Sequence, residues 1–391
     1  MDDSTDQPRL RLLRAAAPAP AGVASAFDPA RLTQARHLAG MTKKDIAEGL
    51  GVTPAAVGQY EAGVTRPRPE VLPRLAELLD VPLAFFAAGR PHAKLDVSVT
   101  HFRSLRSTRA YQRDRAVAFA SQVWELTHAL EKRVQMPPVD LPGFAGGEVL
   151  PTDEVPADPA GAARAVRRRW GLADGPVAHL VRLLESRGIV VTMLPLDSAE
   201  AARIDAFSTS RLPRPLIVLT PDRADDVHRH RFTAAHELGH LVLHGDTAPG
   251  DVQHEREADT FAAEFLTPRA SIAPHLPARA DFTALARLRD TWGVSIKSLL
   301  YRCRELGLLS GSSASRAYQR LNVLRGQGVF ADEPVTGFPG EQPVLLTRAF
   351  ELAAQHGLTV DNLAAELCWH PRRVRELLNL PDTRPPLRLV P

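Results

Sequence analysis

The sequence has little of what marks a secreted or membrane protein. Its 391 residues include only two cysteines, Cys303 and Cys368. They stand far apart, so a disulfide framework of the kind that braces small extracellular domains is excluded. No apolar run approaches the roughly 18 residues needed to span a bilayer. A basic, apolar leader is also missing. The chain opens MDDSTDQ, which is acidic, and the AAAPAPAGVASA that follows is broken by proline. These absences point to a cytoplasmic protein with no membrane partner. Excess charge of one sign is nearly absent too. Lys and Arg number 48 against 45 Asp and Glu, a net charge of +3, which permits nucleic-acid contact without demanding it. Apolar residues make up 44% and charged residues 24%, so wholesale disorder is excluded. At about 100–200 residues per domain, the length predicts two or three domains.

Pattern divides the chain further. Residues 1–27 are polar and then Ala/Pro-rich, and read as a disordered leader. A helical pattern covers 28–89. The stretch 90–160 holds a short strand, LDVSVTH at 95–101, a long amphipathic helix at 105–135, and a segment at 137–160 rich in Pro, Gly and acid that reads as a linker or surface loop. From about 160 the pattern is α+β: helices near 160–170 and 176–187, strands in GIVVTMLPL, DAFSTS and PLIVLTP, then helices at 225–244 and 252–266. A domain over 161–310 and a helical region over 311–391 complete the expected organisation. No solenoid repeat is visible.

Within 28–89 the punctuation is that of short helices. Asp28-Pro29 is an N-cap followed by proline at the first turn. Thr42 with Asp45 makes an approximate capping box, and Thr53-Pro54 opens a further helix. Two helices that cross steeply need a small residue where they touch and a tight turn between them. Ala47 and Gly51 meet those needs, while Val57 docks the second helix and leaves its other face for a major groove. These residues, with the trailing TRPRPEVLPRLAELLDVPLAFF, resemble the XRE (Cro/C1-type) DNA-binding domain. The resemblance implies that the helix from Thr53 is the reader, presenting Thr53, Ala55, Ala56, Gly58 and Gln59, with Lys43, Lys44, Arg66 and Arg68 as candidate phosphate contacts. It implies double-stranded operator DNA as a partner, bound as a homodimer.

The sharpest motif is HELGH at 236–240. In a helix, positions i and i+4 share a face, so His236 and His240 can reach one ion, and two neutral imidazoles suit Zn²⁺. Glu237, one residue on, stands beside that face as a candidate base. Fifteen residues beyond His240 comes EREADTFAAEFLTP. Glu255 supplies a third ligand, and Asp259, one turn later, can accept the remaining ring N–H of a ligand histidine and fix its tautomer. Glu257 is the rival third ligand, out of helical phase with Glu255.

HExxH followed by ExxxD resembles the thermolysin-like (gluzincin) arrangement. RFTAAHELGHLVLH with EREADTFAAEFLTP is similar to the ImmA/IrrE metallopeptidases, although Asp259 stands where that family often has Asn. The resemblance implies a zincin-like α+β domain and a zinc endopeptidase that cleaves a repressor protein, derepressing stress or mobile-element genes. His244 and Tyr301 are then candidate contacts to the substrate or transition state, and DAFSTS or PLIVLTP is the expected edge strand for an extended peptide. His228 and His230 are expected at the surface or behind the ligands. The alternative is a transcription factor without proteolysis, its protease-like domain sensing a ligand or metal. Two further helix-turn-helix-like patterns stand at 281–309, where Arg289 replaces the small residue, and at 357–378, where Cys368 replaces the turn glycine and Arg372, Arg373 and Arg375 offer a basic face.

Overall fold

The structure, a computed structural model, describes residues 19–87, 101–102, 110–150, 152–194, 206–220, 226–245, 251–330 and 333–381, with the side chains of 101–102 left aside. The chain divides into two compact units, Met1–Arg90 and Pro91–Pro391. The fold is α+β overall.

The first unit is helical: α1 (Pro20–Ser25), α2 (Pro29–Ala39), α3 (Lys43–Leu50), α4 (Pro54–Glu61) and α5 (Val71–Leu78), then a 3₁₀ turn Leu83–Phe86. The caps form as the sequence predicts. Thr42 Oγ1 accepts from Asp45 N at 3.2 Å, and Asp45 Oδ2 accepts from Thr42 N at 2.7 Å. Leu32, Ile46, Ala47, Val57, Leu72, Leu75 and Phe86 make the core. The leader needs a correction at its end. Residues 20–25 are helix rather than disordered, because Val23 and Phe27 are buried in this core and Phe27 bridges to Ala87. Residues 1–18 lie outside the described residues.

The second unit contains α6 (Ala110–Glu131), α7 (Pro159–Arg169), α8 (Leu180–Ser186), α9 (Val227–Leu243), α10 (Val252–Leu266), α11 (Arg269–Ile272), α12 (Phe282–Trp292), α13 (Ile296–Glu305), α14 (Gly311–Gly326), α15 (Leu345–Ala354), α16 (Val360–Leu367) and α17 (Pro371–Leu377). Its strands are β1 (His101–Phe102), β2 (Val190–Met193), β3 (Ala206–Thr209) and β4 (Leu216–Leu219), in the order β1-β3-β4-β2. β4 is antiparallel to β3 and parallel to β2, and β1 runs antiparallel to β3. Both expected edge strands are therefore interior: β3 lies between β1 and β4, and β4 between β3 and β2. The strand expected at 95–101 is described only at its last residue.

Two expected boundaries also move. Of the two readings of the 137–160 segment, the surface loop fits and the linker does not, since Leu141 is buried in the main core and Phe144 bridges to Val149. Nor does the core stop at 310: Ala314, Ala317 and Leu321 of α14 belong to the same cluster as Leu238 of α9 and Phe261 of α10. Apolar area decides this, because α14 buries that stripe in the same cluster as the metal-motif helices. The helix-turn-helix-like segment at 281–309 packs into this core through Leu285, Trp292, Leu299 and Cys303, while Arg289 pairs with Asp290 and Glu333. At the C-terminal end, Cys368 takes the left-handed turn (φ 55°) that a glycine would, but Arg373 is not offered to a ligand. Its guanidinium bonds Gln122 Oε1 at 2.7 and 2.9 Å and lies over the Phe119 ring of α6.

Glu185, at the end of α8, caps α15. One carboxylate oxygen accepts from Val344 N and Leu345 N, each at 2.7 Å. Burial pushes its pKa up from 4.5 to about 7, outweighing those two bonds, which pull it down. The folded state therefore holds a proton that the unfolded state has released between these values, so stability should fall as pH rises from about 4.5 to 7, by at most about 3 kcal/mol. Glu185→Gln keeps the acceptor and cannot ionise, so it should flatten that slope. Urea denaturation of both proteins at pH 5 and pH 8 checks this, and parallel pH curves would refute it.

Candidate functional site

α9 starts where its sequence says it should. Asp226 caps it, accepting from His228 N and Arg229 N. Its 3.6-residue period carries Ala234, Ala235, Leu238 and Leu241 into the core and sets His236 and His240 one turn apart. α10, capped by Asp251, packs along it. Gly239 makes that approach close: a Cβ there would stand 3.2 Å from Ala258 Cα and from Phe261 Cβ. The fourth residue of the motif thus serves packing and brings the acidic helix within reach of the histidines.

His236, His240 and Glu255 then converge. Their Nε2, Nε2 and carboxylate atoms lie within 4.8 Å of one another. The two Nε2 atoms are 3.0 Å apart, and Glu255 stands 3.4 Å from His236 Nε2 and 3.5 Å from His240 Nε2. Burial opposes ionising Glu255, but hydrogen bonds and charge from His236 and His240 outweigh it and hold its pKa at about 2. His236 Nδ1 meets Asp259 Oδ1 at 2.8 Å, so its other nitrogen is left to face His240. These donors suit a metal ion. Both ring nitrogens that point inward can carry lone pairs, and their spacing is close to what two bonds of about 2.1 Å to one ion would span.

Glu237 is fully buried beside this cluster. Ser208 Oγ, on β3, donates to its Oε2 at 2.8 Å. Sequence reasoning missed Ser208. Its signal was the strand alternation in DAFSTS, which sets Ala206 and Ser208 on one face, with Ser208 in register opposite Ile217 of the core. Glu257, the rival third ligand, is on a different partner: its Oε2 lies 2.9 Å from His244 Nε2. His244 is buried at the end of α9 and bonds His240 through the two Nδ1 atoms at 3.1 Å. Tyr301 is half-exposed on α13 and lines a 380 Å³ cavity whose walls include Asp259, Lys297 and Tyr318. His228 and His230 are not surface residues. Both are buried, His228 against Asp226 and His230 Nε2 at 2.9 Å from the Glu341 carbonyl oxygen.

In the first unit, Thr53, Ala55 and Gln59 are exposed along the start and face of α4. Two candidate phosphate contacts already have partners. Lys43 Nζ lies 3.2 Å from Glu61, which Arg36 also holds at 2.6 Å, and Arg66 Nη1 donates to Ser25 O at 2.7 Å. Lys44 makes only a 3.7 Å exposed pair with Glu48. Removing Lys44 or Arg68 should therefore lower the salt slope of DNA binding by about one unit each, and removing Lys43 or Arg66 by less. Gln59→Ala should instead relax base preference. Equal slopes for all four cation variants would contradict this.

Comparison with known families agrees with both halves of this description. A family model for the IrrE N-terminal-like domain matches residues 184–304, and a Helix-turn-helix model matches residues 32–86. The comparison with curated proteins returns no match. The chain thus joins an XRE-type helix-turn-helix that binds double-stranded DNA to a metallopeptidase-type domain of the ImmA/IrrE kind. Among the described residues, no helix is long and apolar enough to cross a membrane.

Proposed function

We propose that this chain is a cytoplasmic transcriptional regulator with zinc-dependent endopeptidase activity, which cleaves a repressor protein and so releases stress or mobile-element genes. It binds its operator as a homodimer through residues 28–89. The observation that carries the peptidase reading is the convergence of His236, His240 and Glu255 beside a buried carboxylate, Glu237. The family matches at 32–86 and 184–304 support the pairing of DNA binding with a peptidase-type domain.

His236, His240 and Glu255 would hold the ion, with Asp259 keeping the His236 proton on Nδ1. Zinc there supplies Lewis acidity, polarising a carbonyl oxygen and making water a better nucleophile. Glu237 takes the proton released as water adds to the peptide carbonyl carbon, then gives it to the amine nitrogen as the C–N bond breaks. Ser208 fixes one oxygen of that carboxylate, so the base does not have to be ordered during the reaction. A substrate strand would have to add outside β1 or displace it, since β1 covers β3.

Mass spectrometry of XRE-type repressor proteins incubated with the zinc-loaded chain tests this. Two fragments of one repressor should accumulate with the wild type and not with His236→Ala. Intact repressors throughout would reject the peptidase reading and favour a sensor.

A further inference from the structure

The third histidine of HELGHLVLH, with Glu257 and His254, forms a second group whose ligand atoms lie within 4.8 Å of one another. Among the described residues His254 Nδ1 is buried with no hydrogen-bond partner, and its ring stacks on His244 with centroids 4.4 Å apart. Taken alone, these three residues would make a second metal site as reasonable as the first. We infer that His244 and Glu257 instead form a positioning pair that fixes the tautomer of His240, and that this role excludes a second ion from His244. The inference rests on the metallopeptidase reading above.

A count of protons decides between the two. A neutral imidazole has one N–H and one lone pair. His240 turns Nε2 toward His236 Nε2 and Glu255, so to act as a ligand there it must carry its proton on Nδ1. That Nδ1 is 3.1 Å from Nδ1 of His244. Only one hydrogen fits between them, so His244 Nδ1 accepts. The proton of His244 is then on Nε2, which stands 2.9 Å from Glu257 Oε2, a carboxylate that accepts it. The other oxygen of Glu257 is held by Gln253 Nε2 at 2.9 Å. Each bond in the series from His240 to Gln253 thus has one donor and one acceptor.

His236 has the same support without the intermediate ring, through Asp259 at 2.8 Å. Each ligand histidine is thus backed by a carboxylate, one directly and one through an imidazole. An ion on His244 Nε2 would reverse the arrangement. It would move the His244 proton to Nδ1, where it would face the Nδ1–H of His240 inside a buried pocket. Two N–H groups would then point at each other across 3.1 Å, where one hydrogen fits, and would repel rather than bond. Occupation of the first site therefore disfavours occupation of the second. His254 is left with a packing role, holding the His244 ring by stacking.

The test uses the full-length chain loaded with zinc. Elemental analysis gives stoichiometry, competition with a chromophoric chelator gives affinity, and ¹⁵N NMR of histidine-labelled protein gives the tautomers. One ion per chain is expected, with the His244 proton on Nε2. His244→Ala should weaken zinc binding about 10–100-fold, as the loss of a group supporting a metal ligand does. Because His244 is buried and that variant could unfold, Glu257→Ala, on a partly exposed side chain, provides the second reading and should weaken binding in the same direction. Glu257→Gln should restore most of the affinity, since its amide oxygen can accept the same proton and the exposed Gln253 can turn its own amide. His254→Ala should keep wild-type affinity. Two ions per chain with one lost on His254→Ala would overturn the inference. So would wild-type affinity in folded His244→Ala and Glu257→Ala. A wild type that binds no ion would reject the metallopeptidase reading itself, and the inference with it.

Discussion

Glu237→Gln should leave zinc content unchanged and lower peptide hydrolysis by at least about 10²-fold, the lower end of what a positioned general base contributes. The physical case is that glutamine matches glutamate in shape and can still accept the Ser208 hydroxyl through its amide oxygen, but cannot take a proton at neutral pH. Glu237 is fully buried, so a substitution that changed its volume would confound chemistry with folding, and this one does not. Ser208→Ala should have a smaller effect. It removes one 2.8 Å bond to the carboxylate, worth about 1 kcal/mol, or roughly fivefold in rate if that bond is felt fully in the transition state. Hydrolysis of a peptide spanning the repressor cleavage point, measured beside elemental analysis of the same samples, checks both. Equal rates for wild type and Glu237→Gln would remove Glu237 from the mechanism. A parallel loss of zinc would instead mean that the substitution disturbed the ligands.

What was legible in the sequence is what a helix places side by side. His236 and His240 share a face because 3.6 residues make a turn, and the same period relates Glu255 to Asp259. The caps at Asp28, Thr42 and Thr53 were legible for a similar reason, since each bonds to backbone two or three residues ahead. What was not legible depends on contacts between distant segments. Ser208 meets Glu237 only because β3 lies against α9. Arg373 looked like part of a basic face, and its burial over Phe119 follows from a helix 251 residues earlier in the chain. Lys43 looked ready for phosphate, but Glu61 on the next helix claims it. The expected edge strands were misplaced because which strand ends a sheet depends on pairing between segments distant in sequence: β1 covers β3, and β2 covers the other side of β4. Glu341 falls within the 311–391 stretch, which was expected simply as a helical region. Nothing near it in sequence hints at its partners.

Those partners make Glu341→Ala a costly substitution, by about 3–5 kcal/mol of stability, the range for breaking a buried ion pair from one side. Glu341 and Arg231 are each at most 4% exposed. The carboxylate binds the Arg231 guanidinium and accepts from Leu180 N at 3.0 Å and Val181 N at 3.3 Å, the first turn of α8, which has no side-chain cap of its own. Arg231 in turn donates to the carbonyls of Val177, Ala178 and Gly293. One carboxylate therefore neutralises a buried cation, caps a helix and complements its dipole. Gly340 makes the approach possible, since a Cβ there would run into the His179 ring. Removing the carboxylate leaves the guanidinium buried, among the described residues, beside neutral carbonyls, five residues before His236 on the same helix. Arg231→Met/Glu341→Ala should cost less than the sum of the single changes, because the double variant no longer buries an unpaired charge. Glu341→Gln should fall between wild type and Glu341→Ala, retaining the cap but not the charge. Urea denaturation followed by circular dichroism measures all four. The same reasoning predicts that a chain ending at residue 330 is destabilised at its peptidase core as well as shortened, because the segment beyond it supplies the counter-charge for α9. A Glu341→Ala midpoint equal to that of wild type would show that the pair adds nothing to the core.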